Sequence, residues 1–172
     1  MKDILIPGEE WHIASEGYKG TEGVAVNAKG EVFFNTGGMK KTMKLVDGKA
    51  VTFVEDNNLG DGQRFGPDGR LYTVCAATSN IVAYATDGKA TVIASGFKGN
   101  DLTVANNGNI YVTESSWDRV SPSKVWLVKP DGTKKVVDSG LIFANGITLS
   151  PDQTLLYVSD MKTRWVYSYQ VK

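Results

Sequence analysis

The segment Asn100-Asp-Leu-Thr-Val104, with the turn at 105–108 and the apolar run Ile110-Tyr-Val112 after it, decides the fold because its pattern occurs four times. Each copy opens on an acidic or amide side chain, enters a short apolar run, turns at residues such as Asn, Asp, Pro or Gly, and enters a second apolar run. The opening residues lie 39, 39 and 45 positions apart and are Glu22, Asp61, Asn100 and Asn145. A period of about 40–45 residues indicates a repeat fold.

Two further strands follow in each of the first three copies, joined by an Asp-Gly dipeptide at 47–48, 87–88 and 131–132. Asp-Gly suits a two-residue hairpin because such turns require positive φ. Four short antiparallel strands in each repeat are typical of a β-propeller blade. An immunoglobulin-like sandwich also has short, regularly spaced strands, but it would not repeat in register. The sequence therefore predicts an all-β propeller with four four-stranded blade modules, at about 20–56, 59–96, 98–140 and 143–172.

The fourth module contains only three candidate strands before Lys172, while the segment 11–16 is a further candidate strand near the N-terminus. Propellers remove a free sheet edge when an N-terminal strand completes the last blade, so we expect 11–16 to complete a blade. Two arrangements agree with this count of strands. One is a closed ring of four blades, and the other is an arc of a six-bladed propeller.

Composition excludes several classes of function. Nineteen Lys and Arg residues balance nineteen Asp and Glu residues, so no basic excess exists for nucleic-acid binding. No apolar run approaches the roughly 18 residues that cross a membrane. The first residues are too short and too mixed for a secretory signal, and the single cysteine, Cys75, excludes an internal disulfide. We therefore expect a cytoplasmic protein with no nucleic-acid or membrane partner.

The opening residues of the four repeats are candidates for a metal site. The first strand of each propeller blade lines the central channel, so Glu22, Asp61, Asn100 and Asn145 should face one another at its mouth. Two carboxylates and two amide oxygens suit a hard divalent cation such as Ca²⁺ or Mg²⁺. The alternative interpretation is that Asp and Asn open strands because their side chains hydrogen-bond to local backbone in turns.

Three motifs give the chain a resemblance to the regucalcin/gluconolactonase (SGL) family of metal-dependent propellers. They are Thr21-Glu-Gly-Val24, Gly99-Asn-Asp-Leu102, and Ala144-Asn-Gly-Ile147 with the Ser150-Pro-Asp turn and Leu156-Tyr-Val-Ser-Asp160 after it. The resemblance implies a six-bladed fold and a divalent metal, Ca²⁺ first and Mg²⁺, Mn²⁺ or Zn²⁺ next. It implies that Glu22 and Asn145 bind the metal and that Asn100 contacts metal or substrate. The chain ends before the family's last two blades, one of which supplies a metal carboxylate and the proposed base.

These observations predict a metal-dependent hydrolase of lactones or related esters that acts on a small lactone or sugar-acid substrate. Asp61 would complete the metal site, Asp101 would act as general base, and Arg64 and Trp117 would contact the substrate. The alternative is a non-catalytic propeller fragment or binding scaffold with an incomplete metal site. On that view an open ring would leave a blade edge exposed and favour self-association.

Overall fold

Fifteen strands form four antiparallel sheets in the computed structural model, which describes residues 6–118 and 120–172. In chain order the strands are β1 (Thr21–Val26), β2 (Val32–Thr36), β3 (Lys41–Val46), β4 (Lys49–Val54), β5 (Gly60–Phe65), β6 (Leu71–Cys75), β7 (Asn80–Tyr84), β8 (Ala90–Ser95), β9 (Gly99–Val104), β10 (Ile110–Glu114), β11 (Ser123–Val128), β12 (Lys134–Leu141), β13 (Ala144–Leu149), β14 (Leu155–Asp160) and β15 (Trp165–Gln170). One turn of 3-10 helix, Gly37–Met39, lies between β2 and β3.

Each sheet is a meander of consecutive strands, which is the arrangement of a propeller blade. Blades 1, 2 and 3 contain β1–β4, β5–β8 and β9–β12, and blade 4 contains the three strands β13–β15. The first Asp-Gly hairpin forms as its sequence predicts, with positive φ at both Asp47 and Gly48. The all-β propeller class and the four blade modules are therefore confirmed.

The hydrophobic core lies between neighbouring blades, because each short sheet buries its apolar face against the next one. Phe33 of blade 1 packs with Leu71 and Tyr84 of blade 2. Further clusters fill the next two boundaries. The cluster between blades 2 and 3 includes Val74, Ile81, Leu102 and Val112, and the cluster between blades 3 and 4 includes Tyr111, Val125, Ile147 and Leu156. The packing between neighbouring blades therefore fixes the angle between their innermost strands.

The blades follow one another along an arc. The innermost strand β1 packs on β5, β5 packs on β9, and β9 packs on β13. Within the described ranges, β13 and β1 do not pack on each other in this way, so these residues do not form a closed four-blade ring. The outward face of β1 consequently leaves Val24 and Val26 largely exposed.

The prediction that 11–16 forms a strand completing a blade is wrong. These residues form no strand, and Trp11 and Ile13 are about four-fifths exposed (82% and 77%). The end of the same N-terminal segment lies on the first blade instead: Tyr18 packs edge-on against Phe34, and the backbone N–H of Gly38 donates to the carbonyl of Lys19. Because blades 1 and 4 are not adjacent, a segment held on blade 1 does not pair with β15.

A search of the described ranges for a helix with the length and hydropathy to span a bilayer found none.

Candidate metal and substrate site

The four opening residues of the repeats come together. Each is the second residue of an innermost strand: Glu22 in β1, Asp61 in β5, Asn100 in β9 and Asn145 in β13. All four line a cavity of about 400 Å³ at the end of the blades where these strands begin, which we call the mouth. They also line a smaller polar cavity of about 180 Å³ further along the strands. The four side chains therefore form a partition between the two cavities.

An irregularity in the strand pairing occurs within the first few residues of every innermost strand. The register between the first and second strands shifts after Glu22, Gly60, Gly99 and Ala144, respectively. β-bulges of this kind bend the strand and change the direction of its side chains, and they are frequent beside functional sites. The repeated irregularity places an oxygen-bearing side chain from each blade toward the shared axis.

Asp101 occupies space that Gly62 leaves open. A Cβ atom on Gly62 would overlap the Asp101 Oδ1 atom, whereas one on Gly146 would lie at an ordinary contact distance of 3.8 Å from its Oδ2 atom. The Asp101 carboxylate accepts hydrogen bonds from the backbone N–H groups of Leu102 (2.8 Å) and Ile147 (3.0 Å). This carboxylate thus joins β9 to β13 directly beside Asn145.

The electrostatics of the partition favour a bound positive charge. Burial, and after it the negative charges of Glu22 and Asp101, raise the pKa of Asp61 to about 7. Burial also raises the pKa of Asp101, although the two backbone donors and Arg64 oppose that shift. Crowded carboxylates of this kind are stabilised when a cation shares them. The amide nitrogen of Asn100 donates to Asp61 Oδ2 at 3.2 Å, which leaves the oxygen of Asn100 available as a ligand.

The donor chemistry therefore fits a hard divalent cation. Among the described residues, no three Asp, Glu, His or Cys side chains converge on a point that could hold a metal by themselves. Two carboxylates, Glu22 and Asp61, and two amides, Asn100 and Asn145, are the oxygen donors that line both cavities. Ca²⁺ accepts such mixed oxygen ligands and would keep further positions for water or substrate.

Of the three predicted substrate contacts, Asn100 belongs to this partition, and Trp117 and Arg64 lie on opposite sides of it. Trp117, in the loop after β10, lines the mouth and packs edge-on against Phe143, with ring centroids 5.2 Å apart. Arg64, in β5, lines the smaller cavity on the side of Asp101. One small substrate in the mouth would contact Trp117 but would be separated from Arg64 by the four side chains.

Sequence reasoning did not identify the residues that hold this site in place. Asn35 donates its side-chain N–H to the carbonyl of Asp61 at 2.7 Å, and Thr113 donates its hydroxyl to the carbonyl of Asn145 at 2.6 Å. Both are fourth residues of a second strand, β2 and β10, and they lie 78 positions apart, twice the 39-residue spacing of the first three repeats. The repeat alignment, extended to the second strands, would have revealed them.

The cysteine Cys75 has a structural role. Cys75 is fully buried between blades 1 and 2, and burial raises its pKa to about 11. A thiol with a raised pKa in apolar surroundings is a poor nucleophile.

Comparisons with known proteins agree with the fold and motifs. The SMP-30/Gluconolactonase/LRE-like region (SGL) family model matches residues 94–172. A gluconolactonase from Zymomonas mobilis is 30% identical over 129 residues, which are 63% of this chain and 36% of that protein. The match thus spans about a third of the curated relative.

Two solved structures share the fold. A gluconolactonase from Xanthomonas campestris superposes with a TM-score of 0.83 at 19% identity, over 92% of this chain and 61% of the other. The calcium-binding protein regucalcin from Agrobacterium tumefaciens superposes with a TM-score of 0.72 at 16% identity, over 88% of this chain and 54% of the other. Together with the family model on residues 94–172, these matches confirm that the chain resembles the regucalcin/gluconolactonase (SGL) propeller family.

Proposed function

We propose that this chain contributes the metal and substrate site of a metal-dependent hydrolase of lactones or related esters. The convergence of Glu22, Asp61, Asn100 and Asn145 on one partition is the observation that carries this proposal. The similarity to a gluconolactonase supports the reaction class, and the similarity to a calcium-binding propeller supports the cation.

The four oxygen donors would hold the cation, which when bound supplies Lewis acidity toward an ester carbonyl. The chain's own residues keep those donors in position. Asn35 and Thr113 donate hydrogen bonds to the backbone carbonyls of Asp61 and Asn145, respectively. Asp101 accepts a hydrogen bond from the backbone N–H of Ile147, two residues after Asn145 in the same strand. Preorganised donors of this kind stabilise developing charge without reorganising during the reaction.

The general base in this proposal is Asp101, which lines the smaller cavity and would take a proton from a water molecule at the partition, on the side opposite a substrate in the mouth. Each of its oxygens accepts one backbone hydrogen bond and retains a further lone pair for a proton. Its raised pKa brings it closer to the value at which a carboxylate accepts protons effectively near neutral pH. The same two hydrogen bonds also allow a purely positioning role, and the experiment has to separate the two roles.

A calcium titration followed by thermal unfolding tests the metal site. We expect Ca²⁺ at millimolar concentration to raise the unfolding temperature of the wild-type chain, because a ligand that binds only the folded state stabilises it. Glu22→Gln and Asn145→Ala should each reduce that shift. Glu55→Gln is the matched control, since Glu55 forms only an exposed ion pair with Lys41. No shift with Ca²⁺, Mg²⁺, Mn²⁺ or Zn²⁺ would contradict the proposal.

Lactone hydrolysis measured on Asp101→Asn tests the assignment of the base. If Asp101 is the base, kcat falls by about 10²-fold or more while calcium affinity is preserved. If Asp101 only positions Asn145, calcium affinity and kcat fall together. Undiminished hydrolysis would remove Asp101 from the mechanism. A chain that binds calcium but hydrolyses no lactone would support the non-catalytic scaffold.

A further inference from the structure

We infer that the mouth selects esters or lactones that carry an apolar substituent over polyhydroxylated sugar lactones. This inference rests on the proposed function and concerns the substrate class of the same site. Of the two substrate classes that the sequence predicts, a small lactone or a sugar acid, it favours the lactone.

The wall of the mouth above the partition is apolar. Four large apolar side chains line it: Leu59, Trp117, Phe143 and Met161. Among the described residues that line the mouth, the indole N–H of Trp117 is the only side-chain hydrogen-bond donor beyond the four oxygen-bearing residues. A sugar lactone would bury several hydroxyl groups against this wall without hydrogen-bond partners, and each unpaired hydroxyl that is fully buried weakens binding. An alkyl or aryl substituent would instead gain from the same contact.

The topology explains why these four residues meet. In an antiparallel four-stranded blade, the link from the second to the third strand and the link to the next blade leave at the same end. Leu59 and Phe143 lie in links that lead to β5 and β13, while Trp117 and Met161 follow the second strands β10 and β14. Blades 2, 3 and 4 therefore all contribute to one apolar rim around the beginning of the innermost strands.

Trp117 is held in the rim even though 70% of its surface is exposed. Its ring meets the buried Phe143 ring nearly at a right angle, 87°, which is a favourable aromatic geometry. The adjacent Asp118 carboxylate accepts hydrogen bonds from the backbone N–H groups of Val120 and Ser121 and from the Ser116 hydroxyl. These contacts hold the Trp117 indole beside the mouth before a ligand binds.

The polar groups that would suit a sugar lie elsewhere. Arg64, Gln63 and Asp101 line the smaller cavity, beyond the four partition side chains. That cavity encloses about 180 Å³, less than half the volume of the mouth. A substrate whose carbonyl reaches the partition from the mouth therefore keeps its ring substituents against the apolar rim.

The test compares three lactones that share a six-membered ring: δ-decalactone, δ-valerolactone and glucono-δ-lactone. Hydrolysis by the full chain with calcium is followed in a pH-stat, with the spontaneous rate subtracted. We expect kcat/KM for δ-decalactone to exceed that for glucono-δ-lactone by about tenfold or more, since each buried methylene group contributes about fourfold. Trp117→Ala should reduce kcat/KM for δ-decalactone by about tenfold, and more than it does for δ-valerolactone. The control is Trp165→Ala, an exposed tryptophan on β15 that does not line the mouth.

Three results would overturn the inference, and they differ in what else they imply. If glucono-δ-lactone is hydrolysed as well as δ-decalactone or better, the apolar selection is wrong while the hydrolase function stands. If none of the three lactones is hydrolysed above the spontaneous rate, the proposed function fails and the inference fails with it. Equal loss of δ-decalactone activity in Trp117→Ala and Trp165→Ala would show that the rim does not select the substituent.

Discussion

The hydroxyl group of Thr113 in blade 3 donates a 2.6 Å hydrogen bond to the backbone carbonyl of Asn145 in blade 4. The same hydroxyl accepts the backbone N–H of Asp101 at 3.1 Å. One buried side chain therefore connects the two innermost strands directly beside the opening residue of the fourth repeat. Asn35 makes the corresponding contact from blade 1 to the carbonyl of Asp61 in blade 2.

Replacing Thr113 by Val should weaken both the fold and the metal site. The shape of the side chain is nearly preserved, but the buried carbonyl of Asn145 loses its donor and the N–H of Asp101 loses its acceptor. We expect the free energy of unfolding to fall by about 2–4 kcal/mol, the cost of leaving such groups unpaired. Urea unfolding measures this loss, and calcium titration measures the effect on the site. Thr113→Ser keeps the hydroxyl, so a Ser variant as unstable as the Val variant would show that the methyl group matters instead.

A single methyl group at Gly62 should disturb the arrangement of Asp101. The added Cβ atom would lie 2.1 Å from Asp101 Oδ1 and 2.5 Å from the Asp101 Cα atom, so β5 and β9 would have to separate. We expect Gly62→Ala to lower the free energy of unfolding by about 1–3 kcal/mol, as overpacking typically does, and to reduce calcium binding. Thermal unfolding with and without calcium provides both values. At Gly140 the nearest atom to an added Cβ is 3.5 Å away, so Gly140→Ala should resemble the wild type.

Stability should depend on pH through Asp160, which is almost fully buried behind the mouth. Burial alone would raise the pKa of Asp160, but four backbone N–H groups, from Ile142, Phe143, Lys162 and Thr163, donate to its carboxylate and lower the pKa below its usual range. A lowered pKa in the folded state means that this contribution is fully present above the unfolded value of about 4. It is lost as the pH falls from there through the folded value.

Asp160→Asn should remove about 2–3 kcal/mol at pH 7, since hydrogen bonds to a charged acceptor are replaced by weaker ones. The difference in unfolding free energy between wild type and variant should shrink at pH 3, below the unfolded value, because the Asp160 carboxylate of the unfolded wild-type chain takes up a proton there and so favours unfolding. Urea unfolding at both pH values measures it. Asp87→Asn, in an exposed hairpin turn, is the control for a general effect of charge. A difference that stays constant between pH 7 and pH 3 would contradict this role of Asp160.

The uncovered ends of the arc should promote self-association. On β1, Val24 is 67% exposed and Val26 is 55% exposed, and on β15 Val166 is 67% exposed. Apolar faces and free strand edges of this kind tend to pair with other chains. We expect the molar mass from light scattering to rise with protein concentration, and Val24→Lys with Val26→Lys to reduce that rise. A monomer at every concentration tested would show that these ends do not associate.

The fold could be predicted because its evidence is distributed over four aligned copies. The spacing of Glu22, Asp61 and Asn100, together with the Asp-Gly hairpins, defined strands that the structure contains at the expected places. The prediction of a strand at 11–16 was wrong because a short apolar stretch does not reveal which blade edge, if any, it pairs with. Its position depends on whether blades 1 and 4 are neighbours, and that is a property of the whole arc.

The candidate site was predictable in part. Equivalent positions on equivalent strands lead to one axis, so the meeting of the four opening residues follows from the repeat. The separation of Arg64 from Trp117 does not follow from the repeat. Arg64 lies further along an innermost strand and lines the smaller cavity, whereas Trp117 lies in a loop and lines the mouth. The hydrogen bonds of Asp101 were equally hidden, since its carboxylate reaches Ile147 of the next blade through space that Gly62 of the preceding blade leaves open.

The irregular pairing that recurs at the start of every innermost strand has an evolutionary consequence. Each donor to the cavity stands on its own interrupted stretch of backbone, in a separate copy of the same module. Exchange of one carboxylate for an amide therefore leaves the ladders of the other three modules intact. A chain of repeated modules can in this way carry a different ligand in each module, as it does here with Glu, Asp, Asn and Asn.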